Sequence, residues 1–105
     1  MNGPKIRLLV TGGTFDKEYD EIEGTLYFRR THLKDILERG RCRLPVSVTA
    51  LMLKDSLEMT DADRKRILAA VKRSKESKVV ITHGTDTMTK TARFLSGKTG
   101  KKTVV

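Results

Sequence analysis

Lys78-Val79-Val80-Ile81-Thr82-His83-Gly84-Thr85-Asp86-Thr87 sets the reading of this 105-residue chain. Its Val-Val-Ile core is continuously apolar rather than alternating, which is the pattern of a parallel strand covered on both faces. A polar turn containing glycine follows at once. Upstream the arrangement repeats: Ile6 to Val10 is an apolar strand ending in Thr11-Gly12-Gly13-Thr14, where paired glycines allow backbone conformations closed to other residues and let a ligand approach the main chain. Between the two, Pro45 opens a strand predicted from Val46 to Leu53 and buried at its end, which leads into Lys54-Asp55-Ser56-Leu57-Glu58. Lys102 to Val105 reads as the opening of a fourth core strand.

Amphipathic segments separate these strands. Thr31 is placed to cap a helix whose stripe is Leu33, Ile36 and Leu37, with Gly40 where a C-terminal cap belongs. Thr60-Asp61-Ala62-Asp63 opens a second helix with a capping hydroxyl and early acids, and its buried face is Ile67, Leu68, Ala70 and Val71. A third carries Met88, Ala92 and Leu95 and stops at Gly97. Phe15 to Gly24 shows neither period and is expected to be a mobile loop, after which Thr25-Leu26-Tyr27-Phe28 has the propensity to close a small hairpin. Strands alternating with helices of about ten residues imply βαβ units with right-handed crossovers. The expected fold is therefore a three-layer, Rossmann-like (flavodoxin-like) α/β domain with a mostly parallel sheet. It fills residues 1–105 as one domain and is incomplete, stopping inside its fourth core strand. In such sheets ligands collect at the carboxyl ends of the strands, where Thr11–Thr14, Lys54–Glu58 and Thr82–Thr87 all fall.

The chain holds 22 Lys+Arg against 13 Asp+Glu, a net charge of +9. Five of the acids (Asp16, Glu18, Asp20, Glu21, Glu23) lie within eight residues, leaving 21 bases and eight acids on the other 97. Such a basic body could attract nucleic acid. However, the bases come in separate clusters (Arg39/Arg41/Arg43, Arg64-Lys65-Arg66, Lys72-Arg73 with Lys75 and Lys78, Lys98/Lys101/Lys102) that also read as solvated faces. Aromatic residues for stacking on bases are nearly absent, so a nucleic-acid partner is not expected. The longest apolar runs are far short of the roughly 20 residues of a membrane span, and the N-terminus lacks a signal-peptide core. The expected location is cytoplasmic. Cys42 stands alone, so an intrachain disulfide is excluded.

The residues at the strand ends restrict the chemistry. Neither G-x-x-x-x-G-K-[ST] nor G-x-G-x-x-G occurs. His32 and His83 cannot make a zinc site alone, and no serine sits in a G-x-S-x-G elbow. No metal and no cofactor is expected. Threonine remains as a nucleophile, needing a proton acceptor because its hydroxyl is protonated near neutral pH, and Thr14 on its glycine turn is the best placed.

Thr11-Gly12-Gly13-Thr14 and Ile81-Thr82-His83-Gly84-Thr85-Asp86-Thr87-Met88, in that order and about seventy residues apart, together resemble the two signatures of the bacterial-type L-asparaginases. Asp55-Ser56-Leu57-Glu58-Met59 resembles that family's substrate segment. The resemblance spans the chain but only the first part of the family's larger N-terminal domain. It implies hydrolysis of the side-chain amide of L-asparagine, or of L-glutamine, to the acid and ammonia through an acyl-threonine intermediate. Thr14 would be the nucleophile, assisted by Tyr27 with Tyr19 as the fallback. Thr85 would orient water and contribute to the oxyanion site. Asp86 would pair with the substrate ammonium, Ser56 would bond its carboxylate, and Leu57, Gly13 and Gly84 would line the site. The plainer alternatives are a tight turn for the glycines, a turn hydroxyl for Ser56, a helix cap for Asp86 and simple packing for Tyr27. His83 is expected to be structural, bonding backbone near the turn.

The chain departs from the pattern in two ways. Leu57 replaces a frequent glutamine, and the lysine that works with the family's second threonine lies beyond Val105, as does the small C-terminal domain. The resemblance implies a small amino-acid amide substrate and a homo-oligomer, and the departures imply a fragment, a truncated chain or a short single-domain relative completed by oligomerisation. The other readings are a non-catalytic amino-acid-binding or assembly domain and the ammonia-supplying component of a tRNA-dependent amidotransferase.

Overall fold

A computed structural model describes residues 5–13, 17–20, 25–28 and 33–105. Four strands, β1 (Ile6–Val10), β4 (Val46–Ala50), β5 (Lys78–Thr82) and β6 (Thr103–Val104), form one parallel sheet in the order β4-β1-β5-β6. β2 (Lys17–Asp20) and β3 (Thr25–Phe28) pair antiparallel in a second, two-stranded sheet. The helices are α1 (Leu33–Arg39), α2 (Asp61–Arg73) and α3 (Met88–Leu95), with a 3-10 turn at Ser56–Glu58.

Strand alternation divides the core between two faces. Leu8 and Val10 meet Leu33 and Leu37 of α1. Leu9 and Val79 meet Ala70 and Val71 of α2. Ile67 and Leu95 join α2 to α3 around Met59. The α/β class, parallel sheet and flanking helices therefore match the expectation. The register then aligns the strand ends, because Val10 lies opposite Ala50 on one side and Thr82 on the other.

Several local expectations are corrected. β4 stops at Ala50 rather than Leu53, because Leu51 and Met52 both donate to the Val10 carbonyl (2.9 and 3.2 Å), and two successive amides cannot point the same way in a strand. Being an edge strand, it is only half-buried, with Ala50 exposed. The segment expected to be a loop contains β2, where Lys17 to Asp20 pairs with Phe28 to Thr25. Its polar Lys-Glu-Tyr-Asp hides a strand whose ladder comes from the better strand former opposite. In α3, Leu95 is buried as expected, but Met88 and Ala92 are exposed and Thr91 is buried instead. Arg64, grouped with a solvated basic face, is only 2% exposed. Thr31, the cap expected for α1, lies outside the described residues.

The start of α2 carries the full reciprocal cap. The Thr60 hydroxyl accepts from the Asp63 amide (3.2 Å), and the Asp63 carboxylate accepts from the Thr60 amide (3.0 Å). The end of α1 is less conventional. Cys42 N–H donates to the Leu37 carbonyl and Arg41 N–H to that of Glu38, both at 3.0 Å, which is a Schellman closure. Its left-handed position holds Arg41 (φ 53°), one residue after the glycine the sequence offers. The Cβ strain of that conformation costs about 1–2 kcal/mol. Replacing Arg41 by Gly should raise stability by about 1 kcal/mol in urea unfolding, once the greater freedom of glycine in the unfolded chain is set against the relief.

Two nearly buried carboxylates tie the elements together. Lys54 donates to Asp63 (2.8 Å), which with the Thr60 amide holds that carboxyl below its ordinary 3.8. The Glu76 backbone amide and the forked Arg7 guanidinium (3.2 and 3.3 Å) hold Glu76 below 4.5. Groups with depressed values stabilise the fold above their unfolded values and lose that contribution as pH falls through the folded ones. Stability should thus be flat above about pH 5 and fall at lower pH. In an acid series of urea midpoints, Asp63→Asn/Glu76→Gln should start lower at neutral pH and show a shallower fall.

Candidate functional site

Three segments leave the aligned strand ends side by side: Thr11–Gly13 after β1, Lys54–Met59 after β4 and His83–Thr87 after β5. Thr11 is fully buried and joins all three, since its amide (3.2 Å) and hydroxyl (2.6 Å) both donate to the Thr82 carbonyl while its own carbonyl accepts from Lys54 N–H (3.0 Å). Gly12 and Gly13 both have φ near +131°. A Cβ on Gly12 would fall on the Lys54 carbonyl. The glycine is therefore needed for conformation and for backbone-to-backbone contact together.

The second and third segments interlock. Ser56 is 1% exposed, and its Oγ accepts from the Thr87 amide (3.3 Å) while its carbonyl accepts from the Thr87 hydroxyl (2.8 Å). Thr87 begins α3 without a side-chain cap because that hydroxyl is committed to Ser56. Among the described residues Ser56 Oγ accepts a hydrogen bond and donates none. Gly84 lies so close that an added Cβ would be 2.9 Å from Ser56 Oγ and 3.0 Å from its Cβ. The Asp55 carboxylate accepts from the Leu57 amide (3.2 Å) and shapes the turn, leaving the Leu57 side chain 72% exposed.

Thr85 and Asp86 are exposed at the crest of the β5 exit and make no hydrogen bond or ion pair among the described residues. Asp86 does not cap α3. His83 bonds backbone at the turn, as expected, with Nδ1 2.6 Å from the Gly84 carbonyl. Gly13 is buried at the base of the rim. Thr14, the expected nucleophile, lies outside the described residues, as do the side chains of Tyr19 and Tyr27. Their backbones sit in β2 and β3, opposite Leu26 and Glu18 respectively. Ser56, Leu57, Gly13, Gly84, Thr85 and Asp86 are thus brought to one rim. Among the described residues no group of three or more His, Cys, Asp or Glu side chains could hold a metal ion. Cys42 is exposed.

The sequence reading missed Thr87, whose two bonds to Ser56 join the segments, and Thr91 beneath it. The signal for Thr91 was available in principle. A threonine four residues before Leu95 falls on the same inward face of the helix.

Residues 5–105 match the family model of the asparaginase N-terminal domain. The chain belongs to the asparaginase family. It is 33% identical over 102 residues to a component of the glutamyl-tRNA(Gln) amidotransferase of Pyrobaculum aerophilum, covering 91% of this chain and 24% of that protein. Among solved structures it resembles the thermostable L-asparaginase of Thermococcus kodakarensis (TM-score 0.73, 30% identity, 88% of this chain and 29% of that one). It also resembles a probable cytoplasmic L-asparaginase from Campylobacter jejuni (TM-score 0.72, 29% identity, 89% and 30%). The asparaginase-family chain thus spans less than a third of the length of each of these relatives. No described helix is long and apolar enough to cross a membrane.

The Gly84 contact gives a direct test of the interlock. Gly84→Ala should separate the Ser56 and Asp86 segments, lowering stability by about 1–3 kcal/mol as overpacked sites do. Gly97→Ala tests only backbone strain, since no described atom lies within 4 Å of its added Cβ. Amide spectra should show the Gly84 variant perturbing both segments and the Gly97 variant neither.

Proposed function

We propose that this chain carries the nucleophile and substrate-binding part of an amidohydrolase acting on the side-chain amide of L-asparagine, with L-glutamine as the second substrate. The observation that carries this reading is the pairing of exposed Thr85 and Asp86, unpartnered among the described residues, with Ser56 at the carboxyl ends of parallel strands, the usual ligand position in such sheets. Asp86 supplies a fixed negative charge for an α-ammonium, and Ser56 Oγ supplies a donor for an α-carboxylate. A small zwitterion would thus be held with its side chain directed toward the Gly13 exit of β1.

In this reading Thr14 Oγ attacks the amide carbon, its proton passes to the departing nitrogen with help from Tyr27, and ammonia leaves an acyl-threonine. Water positioned by Thr85 then attacks the ester, releasing the acid and restoring the hydroxyl. The steps require no cofactor. Leu57 cannot donate to the substrate carboxylate, so Ser56 and the turn amides carry that contact. The chain acts as a homo-oligomer in the cytoplasm in this reading, and the Campylobacter relative is described as a probable cytoplasmic L-asparaginase.

The Pyrobaculum similarity favours a second reading, in which the same hydrolysis supplies ammonia within a tRNA-dependent amidotransferase. Both readings give ammonia release from a side-chain amide. The purified chain should release ammonia from L-asparagine, and Thr14→Ala should abolish the release. Thr85→Ala should cost about 10²–10³-fold in kcat, the scale of a lost oxyanion donor. Ammonia release that survives Thr14→Ala overturns the acyl-threonine mechanism. Calorimetric aspartate binding that vanishes in Asp86→Ala, with no turnover in either protein, would identify a non-catalytic binding domain instead.

A further inference from the structure

Arg64 and Thr91 form a buried polar contact behind the rim that the mechanism above does not use. Arg64 is 2% exposed and Thr91 3%, among Met59, Ile67 and Leu95. Arg64 Nε–H donates to Thr91 Oγ1 (3.0 Å), and Thr91 Oγ1 lies 2.7 Å from His83 Nε2. On the other side of the ring, Nδ1 is 2.6 Å from the Gly84 carbonyl. A carbonyl can only accept, so Nδ1 carries the ring proton. Thr91 Oγ1, which accepts from Arg64, also lies 3.7 Å from Met59 Sδ. Successive hydrogen bonds therefore connect Arg64 through Thr91 and His83 to the Gly84 backbone.

The same guanidinium reaches the other half of the rim. Its second nitrogen makes a long contact to the Met59 carbonyl (3.5 Å), and Met59 closes the 3-10 turn that holds Ser56. Its described carboxylate contact is Asp61 at 3.4 Å, whose side chain is 83% exposed. Such a pair is screened by solvent and does not account for burying a guanidinium. Position does account for it, because this one group touches Met59 of the first segment directly and reaches His83 of the other through Thr91.

We infer that Arg64 is a positioning residue for the substrate rim, holding the Ser56 turn through Met59 and the Gly84–Asp86 turn through Thr91 and His83. The inference rests on the reading of that rim given above for its functional meaning, and on geometry alone for the linkage.

The 11.8 kDa chain allows a test by nitrogen-15 magnetic resonance combined with aspartate calorimetry. Nitrogen-15 shifts should show a proton on His83 Nδ1, as its contact with the Gly84 carbonyl requires. Arg64→Met, which leaves apolar bulk in place of a buried charge, should keep or raise the thermal midpoint. It should still shift the amides of Gly84, Thr85 and Asp86, which Arg64 does not touch, and weaken aspartate about tenfold. Thr91→Val should shift the same amides and reduce the additional effect of Arg64→Met on them to what the Met59 arm carries, whereas Thr91→Ser should restore the native pattern. Exposed Lys65→Met serves as the control. Shifts confined to α2 in Arg64→Met, or an equal Arg64 effect in the Thr91→Val background, would overturn the linkage. If Arg64→Met fails to fold, the Val and Ser variants at 91 decide it through the Gly84–Asp86 amides. Wild-type chain that binds no aspartate would defeat the functional reading while the amide shifts still decide the linkage.

Discussion

The rim exists because β1 is flanked on both sides by parallel partners in one register. Val10 faces Ala50 and Thr82, so three chain exits leave the sheet at a single level. An antiparallel neighbour would have sent its exit to the opposite pole. The hydrophobic faces secure that register, since a slip of one residue would turn Leu8 and Val10 away from α1 and Leu9 away from α2. Core packing thus places the hydroxyls and carboxylates of the candidate site before any of them interacts with its neighbours.

From that alignment the rim is built in two ways. Gly12 lies against the backbone of Lys54, and Gly84 lies against Ser56, so two of the joints are close contacts that a side chain would obstruct. Further joints are hydrogen bonds from threonine: Thr11 to the Thr82 carbonyl, Thr87 to the Ser56 carbonyl, and Thr91 to His83. Thr82 itself contributes its backbone, and its hydroxyl is buried without a hydrogen-bond partner among the described residues. The opposite pole is held by charge instead, with Arg7 gripping Glu76 and Thr49, and Lys102 donating to the carbonyls of Ser74 and Glu76 (both 2.6 Å).

Much of this was legible in the sequence where a residue's chemistry and its environment agree. The continuous apolar run of β5, the β1 strand and the capping hydroxyl of Thr60 needed only local rules. Legibility failed where a partner supplied what the residue lacked. Lys17–Asp20 becomes a strand through its pairing with 25–28. Arg64 is buried because Thr91 and Met59 wait for it on other elements, which no charge pattern records. Arg41, rather than Gly40, takes the left-handed position because the helix keeps its hydrogen bonding one residue longer than the glycine suggests. At the site, the two threonine–glycine motifs named the rim, but the role of Ser56 as a clasp for Thr87 emerges only once both loops are seen together.

The division between backbone joints and outward side chains has a bearing on how such a rim can diversify. Leu57, Thr85 and Asp86 face solvent, and their side chains carry none of the described contacts between segments, so changing them leaves the way the rim is assembled unaltered. The glycines and the clasping hydroxyls have no such freedom. A lineage starting from this frame could therefore explore new ligands through a few outward positions while its foundation stayed fixed, keeping innovation in binding largely separate from the risk of misfolding.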